Sequence, residues 1–140
     1  MNSKTIHFFK YHFILYCYLV IIFIQSSIPG NNFPNLDFDF ADKIIHFLIF
    51  AVLALLFFIS LKNQFKYVKL KHYAPEFALL FSILYGISDE IHQKFTPGRF
   101  PDLYDVIANS LGALFVYIII KIYYHSKKLD ITKNDTTSGF

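Results

Sequence analysis

A chain of 140 residues that is 55% hydrophobic, with 18 Phe and 10 Tyr, amounts to one domain and carries more apolar side chain than a soluble core of that size can bury. Its net charge of +3 is too small, and its lysines too scattered, for a nucleic-acid surface. The single cysteine, Cys17, excludes an intrachain disulfide or a cysteine-built metal framework and reads as a small apolar residue.

The apolar residues fall into four blocks, at about 11–28, 43–61, 74–93 and 103–123. Each approaches the ~20 residues that a helix needs to cross a ~30 Å hydrocarbon layer. Lipid cannot satisfy open backbone groups, so helices are the expected element. The fold expected is all-α, a four-helix transmembrane bundle over 11–124, with residues 1–10 as an N-terminal segment and 125–140 as a polar, irregular tail. The breaks carry turn chemistry: IPGNNFPN, the lysine-rich KNQFKYVKLKHY, and TPGRFP. Lys4 and Lys10 ahead of the first block suggest a secretion signal, but the QSSIP at 25–29 lacks a small-x-small cleavage site, so the block is read as a span.

Charge sets the orientation. Lys4, Lys10, Lys62, Lys66, Lys69, Lys71, Lys121, Lys127, Lys128 and Lys133 fall at the termini and second loop; Lys43, Lys94 and Arg99 fall at the other end. The positive-inside rule then places both termini in the cytoplasm and the first and third loops outside.

With that topology the ionisable residues of the spans gather at the outer end. Asp42 and Lys43 open the second helix, with His46 one turn deeper. Glu90 and Gln93 close the third, Arg99 sits in the outer loop, and Asp102, Asp105 and Asn109 open the fourth. At about 1.5 Å per residue, His46 and Asp105 stand ~24 Å above the inner boundary, Glu90 ~21 Å and Asn109 ~18 Å. A charge facing lipid there costs roughly 2.5–3.5 kcal/mol, so these groups should face one another or a water-filled recess. The spacing agrees: Asp102, Asp105, Asn109 and Gly112 form one helical stripe, and Gly112 lets a neighbouring helix come close. Asp42 and His46 are i and i+4, Glu90 and Gln93 i and i+3. Pro101 and Asp102 suit the first turn of a helix. Arg99 is placed either to bind a carboxylate through two hydrogen bonds or to pin the outer loop to the bundle. Asp89 reads as a helix-end carboxylate near the headgroups, and His92 as an interfacial residue.

The segments DKIIHF (42–47), DEIHQKFTPGR (89–99) and DLYDVIANSLGAL (102–114) closely resemble the VanZ-like family of small integral membrane proteins. The shared pattern is Asp-Lys-x-x-His, then Asp-Glu-x-x-Gln leading into Pro-Gly-Arg, then Asp-x-x-Asp-x-x-x-Asn-x-x-Gly. Asp42, Lys43, His46, Glu90, Gln93, Arg99, Asp102, Asp105, Asn109 and Gly112 match it residue by residue. The resemblance implies a multi-pass protein of the bacterial cytoplasmic membrane and a link to teicoplanin, a glycopeptide antibiotic with a fatty-acyl tail. It assigns no mechanism.

Two function classes compete, with a third behind them. In the first, the outward recess binds an amphiphile: a membrane lipid, a lipid-linked envelope precursor or a lipidated glycopeptide. Lys43 and Arg99 would suit an anionic headgroup. In the second, Glu90 or Asp105 with His46 performs acid–base chemistry on a lipid-linked substrate. In the third, the buried carboxylates and His46 relay protons or ions. His46 itself has three readings: metal ligand, proton carrier, or hydrogen-bonded interfacial residue. The spacing matches no local metal motif, so neither metal nor cofactor is expected. No Gly-x-Ser-x-Gly or Cys–His signature points to a nucleophile.

Overall fold

The computed structural model describes residues 3–32 and 41–137, and every long element among them is helical. In chain order these are α1 (Ser3–Tyr11), α2 (Phe13–Ser26), α3 (Ala41–Asn63), the short α4 (Val68–His72), α5 (Ala74–Gln93) and α6 (Leu103–Thr137), with a 3-10 turn at Gly30–Asn32.

α3, α5 and α6 form the body of the molecule, each packed on the other two, while α2 lies more loosely against α3 and α5. Small residues make the close packing possible. A Cβ on Gly112 of α6 would fall 2.1 Å from the Phe47 carbonyl oxygen, so the α6 backbone rests directly on that of α3. Ala54, Ala74, Ala78, Ser82, Ala108 and Ala113 are buried along the same seams. Phe50 and Leu53 fill the centre, joined by Leu15 and Ile22 of α2. Two tyrosines tie α2 to the body through backbone carbonyls: Tyr18 donates to Ile49 O (3.1 Å) and Tyr85 to Leu19 O (2.8 Å).

The distribution of polarity is that of a protein in lipid. Large apolar side chains such as Ile21, Ile24, Leu48, Val52, Leu84, Leu111, Phe115 and Ile118 lie on the outside. Asp89, Glu90, Gln93, Asp105 and Asn109 are buried inside. A soluble domain of this size would show the reverse.

Two helices are long and apolar enough to cross a membrane: α3 and residues 103–128 of α6. The α1–α2 pair, bent by 41° at the break between them, makes a third if it is one broken span. α5 has the required length but carries Glu76, Asp89 and Glu90, and its apolar character is correspondingly lower.

Three boundaries differ from expectation. The first block is two helices with a break at His12, whose Nδ1 lies 2.7 Å from Ser60 Oγ of α3, and it ends at Ser26 rather than 28. α3 gains two residues at each end. α6 continues to Thr137 through most of the segment expected to be irregular. No Gly or Pro follows Gly112 until Gly139, so nothing in the local sequence stops a helix already nucleated. The last three residues of that tail lie outside the described residues.

Candidate functional site

The expected site residues do converge, at the end of the bundle where α3 begins, α5 ends and α6 begins. Lys43 is the hub. Its ammonium lies 2.9 Å from Asp42 Oδ2, 2.6 Å from Asp102 Oδ2 and 2.5 Å from Asp105 Oδ1. An ammonium has three N–H donors, and here each has a carboxylate. Asp102 also caps α6, its Oδ1 accepting the Tyr104 N–H at 2.9 Å. Pro101 therefore sits outside the helix rather than in its first turn. The Lys43 ammonium, and then the Tyr104 N–H, hold the Asp102 carboxyl below the ordinary carboxylate value.

Deeper in, His46 Nδ1 lies 3.1 Å from Asn109 Oδ1, and its Nε2 3.8 Å from Asp105 Oδ2. Glu90 closes the group from α5, accepting the Asp102 backbone N–H at 3.2 Å through Oε2. Gln93 donates to Asp89 Oδ2 (3.1 Å) and, at 3.5 Å, to Glu90 Oε1. The stripe Asp102–Asp105–Asn109 thus meets α3 and α5 together, with Gly112 at its lower end setting the distance between α6 and α3.

Arg99 pins the outer loop, one of the two roles expected of it. Its Nε donates to Ile28 O (3.3 Å) and its Nη2 to Gln25 O (3.5 Å), carbonyls at and just beyond the end of α2. Thr96 Oγ1 donates to Ser26 O (3.2 Å), and Gly30 N–H to Pro97 O (3.0 Å). The outer loop is thereby pinned to the end of α2 and roofs the site. Two glycines allow it: Gly98 holds φ at +72°, and a Cβ on Gly30 would overlap Gly98 O.

Two spaces result. An open recess of about 460 Å³ is bordered by Asp42, Lys43, His46, Gln93, Arg99, Asp102 and Asp105, with Gly30, Gly98, Phe100 and Pro101 at the loops. Beneath it a cavity of about 30 Å³ is lined by Gln25, Ser26, Asp89 and again His46, Gln93 and Arg99. That is room for about one water molecule. His46, Gln93 and Arg99 border both.

Some residues were missed from sequence. Asp89 is buried and bound by Gln93, four residues further along the same helix, a spacing that could have found it. Gln25 and Ser26 line the cavity from α2, whose approach no local pattern predicts. His92 turns away from the cluster, stacked on Phe23 at 4.5 Å. The sequence showed no metal motif, yet one donor atom each from His46, Glu90 and Asp105 lie within 4.8 Å of one another. Donors on three helices leave no spacing signature.

The electrostatic balance is acidic. Asp42, Asp89, Glu90, Asp102 and Asp105 outnumber Lys43 and Arg99, and Lys43 is already committed to three of them. An anionic headgroup thus finds no donor left on Lys43. What the arrangement can hold is a cation, or a group rich in hydrogen-bond donors.

Among known proteins, the VanZ/LLP1 family profile matches residues 8–124. The chain is 26% identical over 131 residues to Uncharacterized protein C11E3.10 of Schizosaccharomyces pombe, an alignment covering 93% of this chain and 75% of that protein. No solved structure matches.

Proposed function

The chain belongs to the VanZ/LLP1 family, and from that premise we propose that it is a multi-pass membrane protein whose outward recess receives the polar headgroup of an amphiphile. In this reading α1–α2, α3, α5 and α6 are four spans, with Asp89 and Glu90 of α5 turned into the bundle, where they meet protein rather than lipid. Both termini and the α3–α5 connection lie in the cytoplasm. One observation carries the reading: a recess of about 460 Å³ lined by Asp42, Lys43, Asp102 and Asp105 opens at the end of a bundle whose outer surface is apolar. An amphiphile fits both parts, its chains in the lipid and its headgroup among the carboxylates.

The same balance selects the headgroup. Surplus carboxylates favour amino and hydroxyl groups over a bare phosphate. An envelope-lipid precursor or a lipidated glycopeptide such as teicoplanin carries such groups, and its capture would alter glycopeptide susceptibility in a bacterial host.

The test is lipid binding to the full chain in nanodiscs. Vesicle lipids with amine-bearing headgroups should bind more tightly than phosphatidylglycerol, and Asp102→Asn should weaken them about tenfold, the size of one charge-assisted hydrogen bond. Equal binding of both lipids by both proteins would sink the proposal. Topology is checked in a variant with Cys17 replaced by serine. Phe100→Cys should label from outside whole cells and Phe65→Cys should not; both side chains are well exposed. The reverse pattern would put the recess on the wrong side.

A further inference from the structure

The floor of the recess contains a second arrangement, which shares Asp105 with the headgroup-binding carboxylates. His46 of α3, Glu90 of α5 and Asp105 of α6 each offer a donor atom, all within 4.8 Å of one another. The placement of these donors carries the argument. His46 Nδ1 faces Asn109 Oδ1 at 3.1 Å. Its Nε2 faces Asp105 Oδ2, 3.8 Å away.

That separation is too long for a direct hydrogen bond, since N–H···O bonds fall at about 2.7–3.2 Å. A metal fits the distance better. Two ligands on a tetrahedral ion with bonds near 2.1 Å stand ~3.4 Å apart, within a small side-chain adjustment of the distance present.

Each donor is also held from behind. Asn109 holds the far nitrogen of His46, Lys43 holds Oδ1 of Asp105, and the Asp102 N–H holds Oε2 of Glu90. That leaves His46 Nε2, Asp105 Oδ2 and a carboxylate oxygen of Glu90 for a shared ion, with outer partners fixing ligand orientation as they do around metal-bound histidines. Glu90 Oε1 has a weak competing contact, the 3.5 Å approach of Gln93 Nε2. The site lies at the end of the bundle, and both His46 and Asp105 border the open recess, so an ion there can be reached.

We propose that His46, Glu90 and Asp105 bind one divalent transition cation, zinc or manganese. One imidazole and two carboxylates suit these ions, whereas magnesium and calcium prefer all-oxygen sets and copper(I) prefers sulfur. Two carboxylates balance the charge of the dication, and its remaining coordination positions open toward the recess. The proposal does not depend on headgroup binding, because its test uses the protein and the metal alone.

The full chain, stripped with chelator and held in nanodiscs, is titrated calorimetrically with zinc and with manganese. X-ray absorption at the zinc edge is recorded on the loaded protein. Saturable uptake of one ion per chain is expected, with imidazole scattering in the absorption spectrum. His46→Ala and Glu90→Gln should each weaken binding by at least about tenfold, as even outer-shell changes do at such sites. His92→Ala and Glu76→Gln should leave it unchanged. Absence of saturable uptake, or uptake unaltered in His46→Ala, overturns the site. Should that variant fail to fold, the unaltered protein still decides: a zinc-edge spectrum without imidazole, or nitrogen NMR showing Nε2 protonated at saturating metal, has the same consequence.

Discussion

The two ends of the bundle both contain ion pairs between helices, but of different kinds. At the end that the proposed topology puts inside, Lys121 of α6 meets Glu76 of α5 at 2.9 Å, with side chains 51% and 40% exposed. Lysines 62 and 128 stand nearby, and the pair is one contact among solvated charges. At the outer end Lys43 is only 23% exposed and holds three carboxylates from two helices and a loop. An exposed pair exchanges one well-hydrated arrangement for another and contributes little. Lys43 neutralises one carboxylate, Asp105, that is only 10% exposed, so the loss of the ammonium costs far more than its presence gains. Charge at the Lys121 end therefore stays a feature of the surface, whereas charge at the Lys43 end joins α3 to the start of α6.

The sharpest way to break this contrast is at Lys43. Lys43→Met should destabilise the protein by about 3–5 kcal/mol, the usual cost of orphaning a buried partner, read as a loss of folded yield and melting temperature in detergent. Adding Asp105→Leu to that variant should recover part of the loss. A melting temperature unchanged by Lys43→Met would mean that the outer carboxylates are as well solvated as the inner pair.

Next comes the contact that sets the distance between α3 and α6. Gly112→Ala places a methyl 2.1 Å from the Phe47 carbonyl, so the helices must separate, at about 1–3 kcal/mol by the usual cost of overpacking. Gly86→Ala should cost less, because its nearest neighbour is the Phe50 ring at 3.1 Å, which can shift. Thermal denaturation of the two variants gives the order; equal losses would show that the α3–α6 seam is no tighter than the rest.

A smaller effect follows from the Asp102 carboxyl, which Lys43 holds below its ordinary value. A carboxylate with a lowered folded value contributes stability in full above its unfolded value, near 3.9, and loses it as pH falls through the folded one. The stability gap between the parent and Asp102→Asn should thus be constant from about pH 7 to 5 and close below about pH 4. A gap that widens on acidification would contradict the Lys43 contact. Smallest of all, Lys121→Met should shift stability by less than about 1 kcal/mol and leave recess binding alone. A larger shift would erase the distinction between the two ends.

Much of the fold was legible because lipid imposes simple rules. Four apolar blocks of nearly spanning length anticipated the helices, and α5 was placed at 74–93, as observed. The bend at His12 was not legible, since neither Pro nor Gly marks it and its partner Ser60 is 48 residues away. The helical continuation to Thr137 was misread because polarity was taken for irregularity, although a helix needs only the absence of breakers to propagate.

For the site, the sequence by itself determined which residues share a face: the stripe Asp102–Asp105–Asn109, the pair Asp42–His46 and the pair Glu90–Gln93. Helical periodicity alone is sufficient for that. Only the tertiary structure decided what those faces meet. It made Lys43 the hub, turned Arg99 onto the carbonyls ending α2, drew in Asp89, Gln25 and Ser26, and brought His46, Glu90 and Asp105 together from three helices. The physical reason lies at Gly112. Spacing along one helix is a local quantity, but distances between helices depend on how closely two backbones can approach, and that closeness becomes visible only once α6 rests on Phe47.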